Sequence, residues 1–369
     1  MTNNPQQLSQ IVINGFKSIA DCNLQLERIN VLIGANGAGK SNLISFFKMI
    51  QQMLEKRLQI YVGKQGGPDA LLHFGRKRTE SISAGIYFGS NGYLFTLEPT
   101  EDNKIMFTDE AFWWEISGPK SLGSGHFESR VHKGTGTGID PYVWEAIKQW
   151  RVYHFHDTGD TSPLKQINQL SDNLYLRPDG RNIAAYLYLL KDKHPKEYNL
   201  IVKTVRLVAP FFNDFLLHPS PLNEDMIELA WTNRGLEWDG GEADIPFKVH
   251  QLSDGTLRFI CLATVLLQPS DKQPETILID EPELGLHPYA IKILAGLIRS
   301  VSQRKQIIIS TQSTELVNEF ELKDIVVVDI ENGKSLFTRK SEEKLKEWLE
   351  EYSIGDLWKK NLLGGRPSR

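Results

Sequence analysis

Between Gly34 and Ser41 the chain reads GANGAGKS, three glycines spaced around a terminal Lys-Ser pair. Gly34, Gly37 and Gly39 let the backbone curl so that successive N–H groups point inward and form an anion-binding nest. The flanks are strand-like and helix-like. NVLIG is a short apolar run ending at glycine, and SNLISFFKMIQQMLEK sets Leu43, Phe46, Phe47 and Ile50 at helical spacing. A helix beginning near Lys40 adds the positive end of its dipole to the nest. In a GxxxxGK[ST] loop, Lys40 reaches the β- and γ-phosphates of a nucleotide and the Ser41 hydroxyl ligates Mg²⁺. A chance glycine turn of this form should arise in roughly one chain of this length in a hundred. The strand before it and the helix after it lower those odds further.

TILIDEPE puts Asp280 and Glu281 where another apolar strand runs out. Ligands of parallel sheets collect at the carboxyl ends of strands, so both acids should face the phosphate loop. The expected division of labour gives Asp280 the Mg²⁺ shell and Glu281 the attacking water. Read alone, the pair is a charged turn capping a strand; beside GANGAGKS it is the acidic half of a phosphoryl-transfer site. A third element is QLSDGT, residues 251–256, where Ser253 and the backbone of Gly255 open a helix and make a second anion site. In isolation Ser-Asp-Gly is ordinary helix-start chemistry. A single nucleotide does not need two such cradles, but two chains facing each other would use both.

The elements carrying these residues form a split pattern. Residues 10–33 read as strand segments (QIVINGF, NLQLERI, NVLIG), and the helix follows the loop. From about 60 to 240 the character changes. SISAGIYFGSNGYLFTLEP alternates around Asn91-Gly92, a hairpin signal. KIMFTDEAFWWEI reads as a strand and SLGSGHFESRVHKGTGTGIDP as a mobile glycine-rich loop. NIAAYLYLLKDK and NLIVKTVRLVAPFFNDFLL read as helices. After 245 come helix DGTLRFICLATVLLQ, TILIDEPE as a strand with a turn, helix PYAIKILAGLIRSVSQR, strand QIIISTQS and strand DIVVVDI, which imply a mostly parallel sheet. SEEKLKEWLEEYSIGDLWKK reads as a closing charged helix with a solvated face. The division expected is a nucleotide lobe from 1–60 and 245–340, an insertion at 61–244, and a helix and tail at 341–369.

Composition narrows the function classes. The 369 residues include 42 basic and 46 acidic side chains, a net charge of −4, which argues against coating nucleic acid by bulk charge while leaving room for a local basic groove. Cys22 and Cys261 are the only cysteines and form no CxxC pair, so neither a cysteine-rich zinc site nor a disulfide framework is expected. The N-terminus MTNNPQQLSQ lacks the basic start and apolar core of a secretory signal. No apolar run approaches the roughly 18 residues of a membrane span. The expectation is a cytoplasmic protein that does not enter a membrane.

Together, GANGAGKS, LSDGT, ILIDEPE and IIISTQS resemble the ABC-type ATPase heads of SMC-like and RecF-like proteins, as do INGFKSI and EPELGLHP. The chain is most similar to the stand-alone prokaryotic ATPases called AAA-family or OLD-like, in which a short ATPase replaces the coiled-coil arms. The motifs cover residues 11–50 and 245–330; GGPDALLHFGR and YHFHDT carry softer similarity. The resemblance implies an α/β fold: a P-loop NTPase of ABC-ATPase-head type, with a split nucleotide-binding lobe and a central mixed α+β insertion. It implies ATP and Mg²⁺ as cofactors and a head-to-tail ATP sandwich in a homodimer or higher homo-oligomer. In that arrangement Gly34, Ala35, Asn36, Gly37, Ala38, Gly39, Lys40, Ser41 and Asn42 of one subunit hold the triphosphate. Ser253 and Gly255 of the other close on its γ-phosphate. Ser41 and Asp280 would bind Mg²⁺, Glu281 would be the catalytic base, and Lys17 and Ser18 lie where the family's N-terminal loop approaches the nucleotide. His287 lies in the segment that crosses the family's dimer interface.

Three departures bear on activity. Asp254 stands where the family often has a glycine. Gln312 of STQS stands where many members have histidine; glutamine can hydrogen-bond a γ-phosphate but carries no charge, so slow hydrolysis is expected. The family's Q-loop glutamine has no assured counterpart, Tyr153–Asp157 being the nearest region, and His154 or His156 there would serve equally as core or surface residues. No heptad arm is present, and fewer than 60 residues follow STQS, too few for a TOPRIM nuclease domain. The expected function is an ATPase, with Lys40, Glu281 and Gln312 in catalysis, that regulates a separate nuclease or toxin effector in bacterial anti-phage defence. The alternatives are a RecF-like ATPase that clamps DNA in repair and an ATP-gated scaffold that barely hydrolyses. A transporter ATPase subunit fits poorly with the 60–240 insertion and INGFKSI.

Overall fold

The computed structural model describes residues 7–133, 139–148, 150–234 and 246–365. In chain order, β1 (Gln10–Phe16) and β2 (Ile19–Gln25) form an antiparallel pair, followed by the buried β3 (Ile29–Ile33), α1 (Lys40–Leu54) and α2 (Leu58–Gln65). A meander follows: β4 (Ile82–Phe88), β5 (Asn91–Pro99), β6 (Ile105–Trp114) and β7 (Gly118–Ser121). Next come α3 (Ile139–Ile147), β8 (Arg151–Tyr153), β9 (Asn168–Gln169), α4 (Ile183–Lys193) and α5 (Pro195–Val208). Short strands β10 (Phe212–Leu216), β11 (Pro219–Ser220), β12 (Asn223–Ile227), β13 (Ala230–Asn233) and β14 (Pro246–Lys248) lead into α6 (Asp254–Leu267). The last part alternates: β15 (Thr276–Asp280), α7 (Pro288–Ser302), β16 (Gln306–Ser310), α8 (Thr314–Val317), β17 (Ile325–Glu331), β18 (Lys334–Thr338), α9 (Glu342–Glu351) and α10 (Ile354–Lys359).

These elements divide into two units. The first is Met1–Val152, Pro274–Asp280 and Lys305–Arg369; the second is Tyr153–Gln273 and Glu281–Arg304. The first holds a sheet of order β18-β17-β3-β16-β15-β8 and an antiparallel sheet of order β2-β1-β4-β5-β6-β7. Strands β17, β3, β16 and β15 run parallel, and they are almost wholly apolar because both faces are buried. A single core gathers α1 with residues of both sheets, from Ile13 and Phe95 to Leu278, Ile308 and Val326. Phe46 of α1 meets Phe16 edge-on at 5.5 Å and stacks over Phe95 at 6.3 Å. Burying each such ring contributes on the order of 2–3 kcal/mol, so the helix that follows the phosphate loop is fixed by its apolar stripe. In the second unit α6 packs with α5 and α7, and its residues Leu257 and Phe259 to Leu267 are buried.

Four local expectations are corrected. The β4–β5 turn is Gly89-Ser90, with Phe88 opposite Asn91, rather than Asn91-Gly92. An even shift of register leaves every side chain on its own face, so alternation alone did not separate the two turns. NLIVKTVRLVAPFFNDFLL is not one helix: α5 stops before Pro210, and Phe212 and Phe215 enter β10, paired with β13. Proline disfavours helix at the residue before it. The closing segment is two helices; Ser353 caps α10, whose Ile354, Leu357 and Trp358 are buried rather than solvated. The glycine-rich stretch begins with β7 and a bridge between Phe107 and His126, while its residues 134–138 lie outside the described residues. Cys22 and Cys261 are free and buried, and burial pushes the Cys22 thiol up to about 12, which removes both as nucleophiles.

Candidate functional site

Strand order places β16 between β3 and β15, and the parallel registers align Leu32, Ser310 and Asp280 across the three strands. Their carboxyl ends therefore share one edge of the sheet. GANGAGKS leaves this edge after β3, Thr311-Gln312 leaves it after β16, and Asp280 ends β15. Three discontinuous segments thus leave the sheet at the edge where parallel sheets bind ligands.

The loop has the shape that its glycines permit. Gly34, Gly37 and Gly39 have φ of 158°, 81° and 112°. A Cβ on Gly34 would fall 2.1 Å from the Val328 carbonyl oxygen, and one on Gly39 would fall 2.0 Å from Ser335 Oγ. Gly39 is the N-cap of α1 and supplies no side-chain acceptor, so no side chain competes with an anion for the positive end of the helix. By contrast Ser253 caps α6 and His287 caps α7 with their own side chains. Lys40 is 4% exposed, and its ammonium donates to the carbonyls of Gly34 and Ala35 at 2.6 and 3.0 Å, across the loop. Glycine-formed curvature, a helix start without a cap and a buried lysine fit a polyphosphate. Ser41 lies in the first turn of α1 and Asp280 ends β15, and a hydroxyl and a carboxylate are donors that suit Mg²⁺ beside phosphate oxygens. When bound, the metal ion would neutralise phosphate charge.

A polar relay that the motifs did not announce fixes this loop from behind. Ser335 of β18 donates from Oγ to the Ala38 carbonyl at 2.6 Å. Its oxygen lies 2.6 Å from Ser18 Oγ, and Ser18 in turn accepts from Asn42 Nδ2 at 2.6 Å. Since Ser335 spends its proton on Ala38, Ser18 is the donor between the two serines. Ser335 is fully buried. Its replacement by alanine strands the Ala38 carbonyl and the Ser18 hydroxyl, which costs about 1–3 kcal/mol. We expect Ser335→Ala to lower the unfolding temperature and to weaken nucleotide binding severalfold; thermal unfolding with and without nucleotide checks both. Lys17 takes a different position from Ser18. With φ of 49°, it sends its ammonium to Ser45 Oγ at 2.7 Å and Gln65 Oε1 at 3.0 Å. Burial, with Lys48 nearby, holds that ammonium below the usual lysine range. Lys48 is itself lowered by burial, and the Asp280 charge offsets this in part.

The second unit gathers LSDGT, YHFHDT and EPELGLHP. Ser253 and Asp254 are exposed at the start of α6, where Ser253 Oγ accepts from the Thr256 N–H at 3.2 Å. A Cβ on Gly255 would lie 2.3 Å from the Gly285 carbonyl oxygen, so a larger residue here would push the two segments apart. Arg258 ties them together, donating to the carbonyls of Phe155, His156 and Leu284 and to Thr158 Oγ1 at 2.9–3.0 Å. Lys165 pairs with Asp254 at 3.5 Å. Glu281 turns through a positive φ of 44°, a left-handed conformation that costs a non-glycine residue about 1–2 kcal/mol. Its carboxylate lies 4.0 Å from His156 Nε2. Of the residues singled out in sequence, the first unit brings Gly34–Asn42, Ser18, Asp280 and Gln312 to one edge. Ser253, Gly255 and Glu281 belong to the second.

Residues 29–70 and 66–318 match the family described as "AAA domain, putative AbiEii toxin, Type IV TA system". A 78-residue stretch is 35% identical to a Geobacter sulfurreducens protein named "Putative ABC transporter ATP-binding protein"; it spans 21% of this chain and 29% of that protein. The structure is similar to an Smc head bound to the C-winged helix domain of ScpA, with a TM-score of 0.61 and 16% identity, over 91% of this chain and 99% of that one. It is also similar to an Smc head with an extended coiled coil bound to the C-terminal domain of ScpA derived from Pyrococcus furiosus. That match has a TM-score of 0.56 and 15% identity, over 93% of this chain and 98% of that one. At such identities the likeness concerns the fold. The fold is the P-loop NTPase of ABC-ATPase-head type that the motifs resemble. Among the described residues no helix is long and apolar enough to cross a membrane.

Proposed function

This chain belongs to that AAA-domain family, whose architecture is the ABC/SMC-like ATPase head, and from this membership we propose that it binds ATP with Mg²⁺, hydrolyses it and closes into a homodimer around it. The observation that carries the reading is the sheet edge on which GANGAGKS, Asp280 and Gln312 converge. In this reading the loop of one subunit holds the triphosphate, and Ser253 and Gly255 of its mate close on the γ-phosphate. The contrast between the two helix starts supports the division. α1 has no side-chain cap and offers its donors to an anion, whereas α6 begins with an exposed serine that can be presented to a second chain. Closure would regulate a separate effector, a nuclease or toxin of bacterial anti-phage defence; the family's description, which names a toxin and a toxin–antitoxin system, supports that setting.

Ser253→Arg tests the sandwich. The position is exposed, and loss of the cap costs about 1 kcal/mol, so the protein should fold. Added bulk and charge at the closing surface should abolish the ATP-dependent shift to dimer in size-exclusion chromatography while single-chain ATP affinity stays within about twofold. An unchanged dimer would overturn the assignment of LSDGT to the partner's nucleotide. Gln312 favours a second reading, an ATP-gated scaffold of low turnover, because an amide binds a γ-phosphate without adding charge. A measured turnover that does not respond to Glu281→Gln would favour the scaffold.

A further inference from the structure

Beside the phosphate loop lies a cavity of about 340 Å³, bounded on one side by Ala35, Asn36 and Gln312 and on the other by Trp358, Lys359 and Gly365 of the C-terminal segment. That segment is built into the wall. The Gly355 N–H donates to Asn318 Oδ1 at 2.6 Å, and the Gly365 N–H donates to Asp329 Oδ2 at 3.0 Å. A Cβ on Gly365 would lie 3.3 Å from the Gly34 Cα, so the tail passes directly against the first glycine of the loop. Leu357 and Trp358 are buried beneath it.

The chemistry of the wall is one-sided. Trp358 is 8% exposed, and its indole N–H is buried without an acceptor, an arrangement that is unfavourable unless a ligand or solvent oxygen completes it. Lys359 adds an exposed ammonium, and Asn36 and Gln312 add amides. Among the described residues none that lines the cavity is acidic. Donors and positive charge in the wall of a cavity beside a phosphate loop complement a phosphate oxygen. We propose that Lys359 and the Trp358 indole N–H bind the terminal phosphate of an ATP held by Gly34–Ser41, so that α10 supplies the positive charge that Gln312 lacks. The C-terminal segment thereby distinguishes ATP from ADP. This rests on the ATP-binding reading given above.

The test is titration of the full chain with a non-hydrolysable ATP analogue and, separately, with ADP. Lys359→Ala should weaken the analogue about tenfold, as loss of one charge-assisted contact predicts, and leave ADP within about twofold; Lys359→Arg should restore the analogue. The chain has 8 tryptophans, so the Trp358 signal is taken as the fluorescence difference between wild type and Trp358→Phe. That difference should respond to the analogue and not to ADP. Wild-type affinity for both nucleotides in Lys359→Ala, or equal loss of both, would overturn the proposal. Lys40→Ala, measured alongside, separates the failures. If it loses both nucleotides while Lys359→Ala loses neither, the ATP site stands and the role of α10 falls; if it binds both normally, the ATP site falls as well.

Discussion

Replacing Lys40 by alanine is expected to weaken ATP binding on the order of a hundredfold, the largest loss of affinity for any single side chain in the loop. The ammonium is buried and already directed across the loop, 2.6 Å from the Gly34 carbonyl and 3.0 Å from that of Ala35. A triphosphate seated there would gain charge-assisted hydrogen bonds from it. Removing such a contact costs about 1.5–3 kcal/mol, and roughly every 1.4 kcal/mol is tenfold in Kd. The fold should tolerate the change, since alanine is a strong helix former at the start of α1 and the stripe from Leu43 to Met53 that anchors the helix is untouched. Nucleotide titration by calorimetry, with thermal unfolding as the control for folding, reads the effect. A correctly folded Lys40→Ala that binds ATP as wild type does would remove the phosphate-loop assignment, and with it the sandwich.

The contrast between Lys40 and Ser335 explains what was legible in the sequence. Lys40 announces itself because its role depends on neighbours within eight residues: glycines that permit the curl, an apolar run before, a helical stripe after. Asp280 and Gln312 are legible for the same reason, each standing where a short apolar run ends. Ser335 acts on the same loop from 297 residues away, and nothing around it in KSLFT distinguishes a serine that holds a carbonyl from any serine in a strand. The same holds for His156, whose ring meets Glu281 through chain folding alone. Strand order is likewise invisible to periodicity. The alternation after residue 245 implied parallel strands, but the pattern does not say that β16 stands between β3 and β15. The C-terminal segment hides its second helix for another reason. The charged run EEKLKEWLEE dominates its composition and masks the smaller signal SIGDLW, a serine cap followed by an apolar face. In NLIVKTVRLVAPFFNDFLL the stop signal at Pro210 was present, but the apolar residues on both sides made one continuous stripe.

Glu281→Gln is expected to reduce ATP hydrolysis by about 10²–10⁴-fold while leaving ATP binding near wild type, and so to hold the ATP-bound dimer long enough to isolate. Glutamine keeps the size and rotamers of glutamate but does not accept a proton, and general-base catalysis contributes a factor of that order. The geometry around residue 281 makes the substitution a clean test. Its backbone φ of 44° is strained for glutamine as it is for glutamate, so the turn between Asp280 and Pro282 should survive, whereas a β-branched substitute would disturb it. Asp280, the preceding residue, stays in register with Ser310 and keeps its place for Mg²⁺. The contact with His156 at 4.0 Å changes from a potential ion pair to a neutral one, so His156→Ala gives a second probe of the same carboxylate. If His156 orients Glu281, His156→Ala should lower turnover without changing ATP affinity, and it should have no further effect in the Glu281→Gln background. Phosphate release measures turnover, nucleotide titration measures ATP affinity, and size-exclusion chromatography in ATP and Mg²⁺ measures the dimer. Where wild-type turnover is well above background, full hydrolysis in Glu281→Gln would move the base elsewhere; a background-level turnover unchanged by the substitution is the scaffold outcome. Lost hydrolysis with a persistently monomeric protein would keep Glu281 as the base and refute closure around ATP.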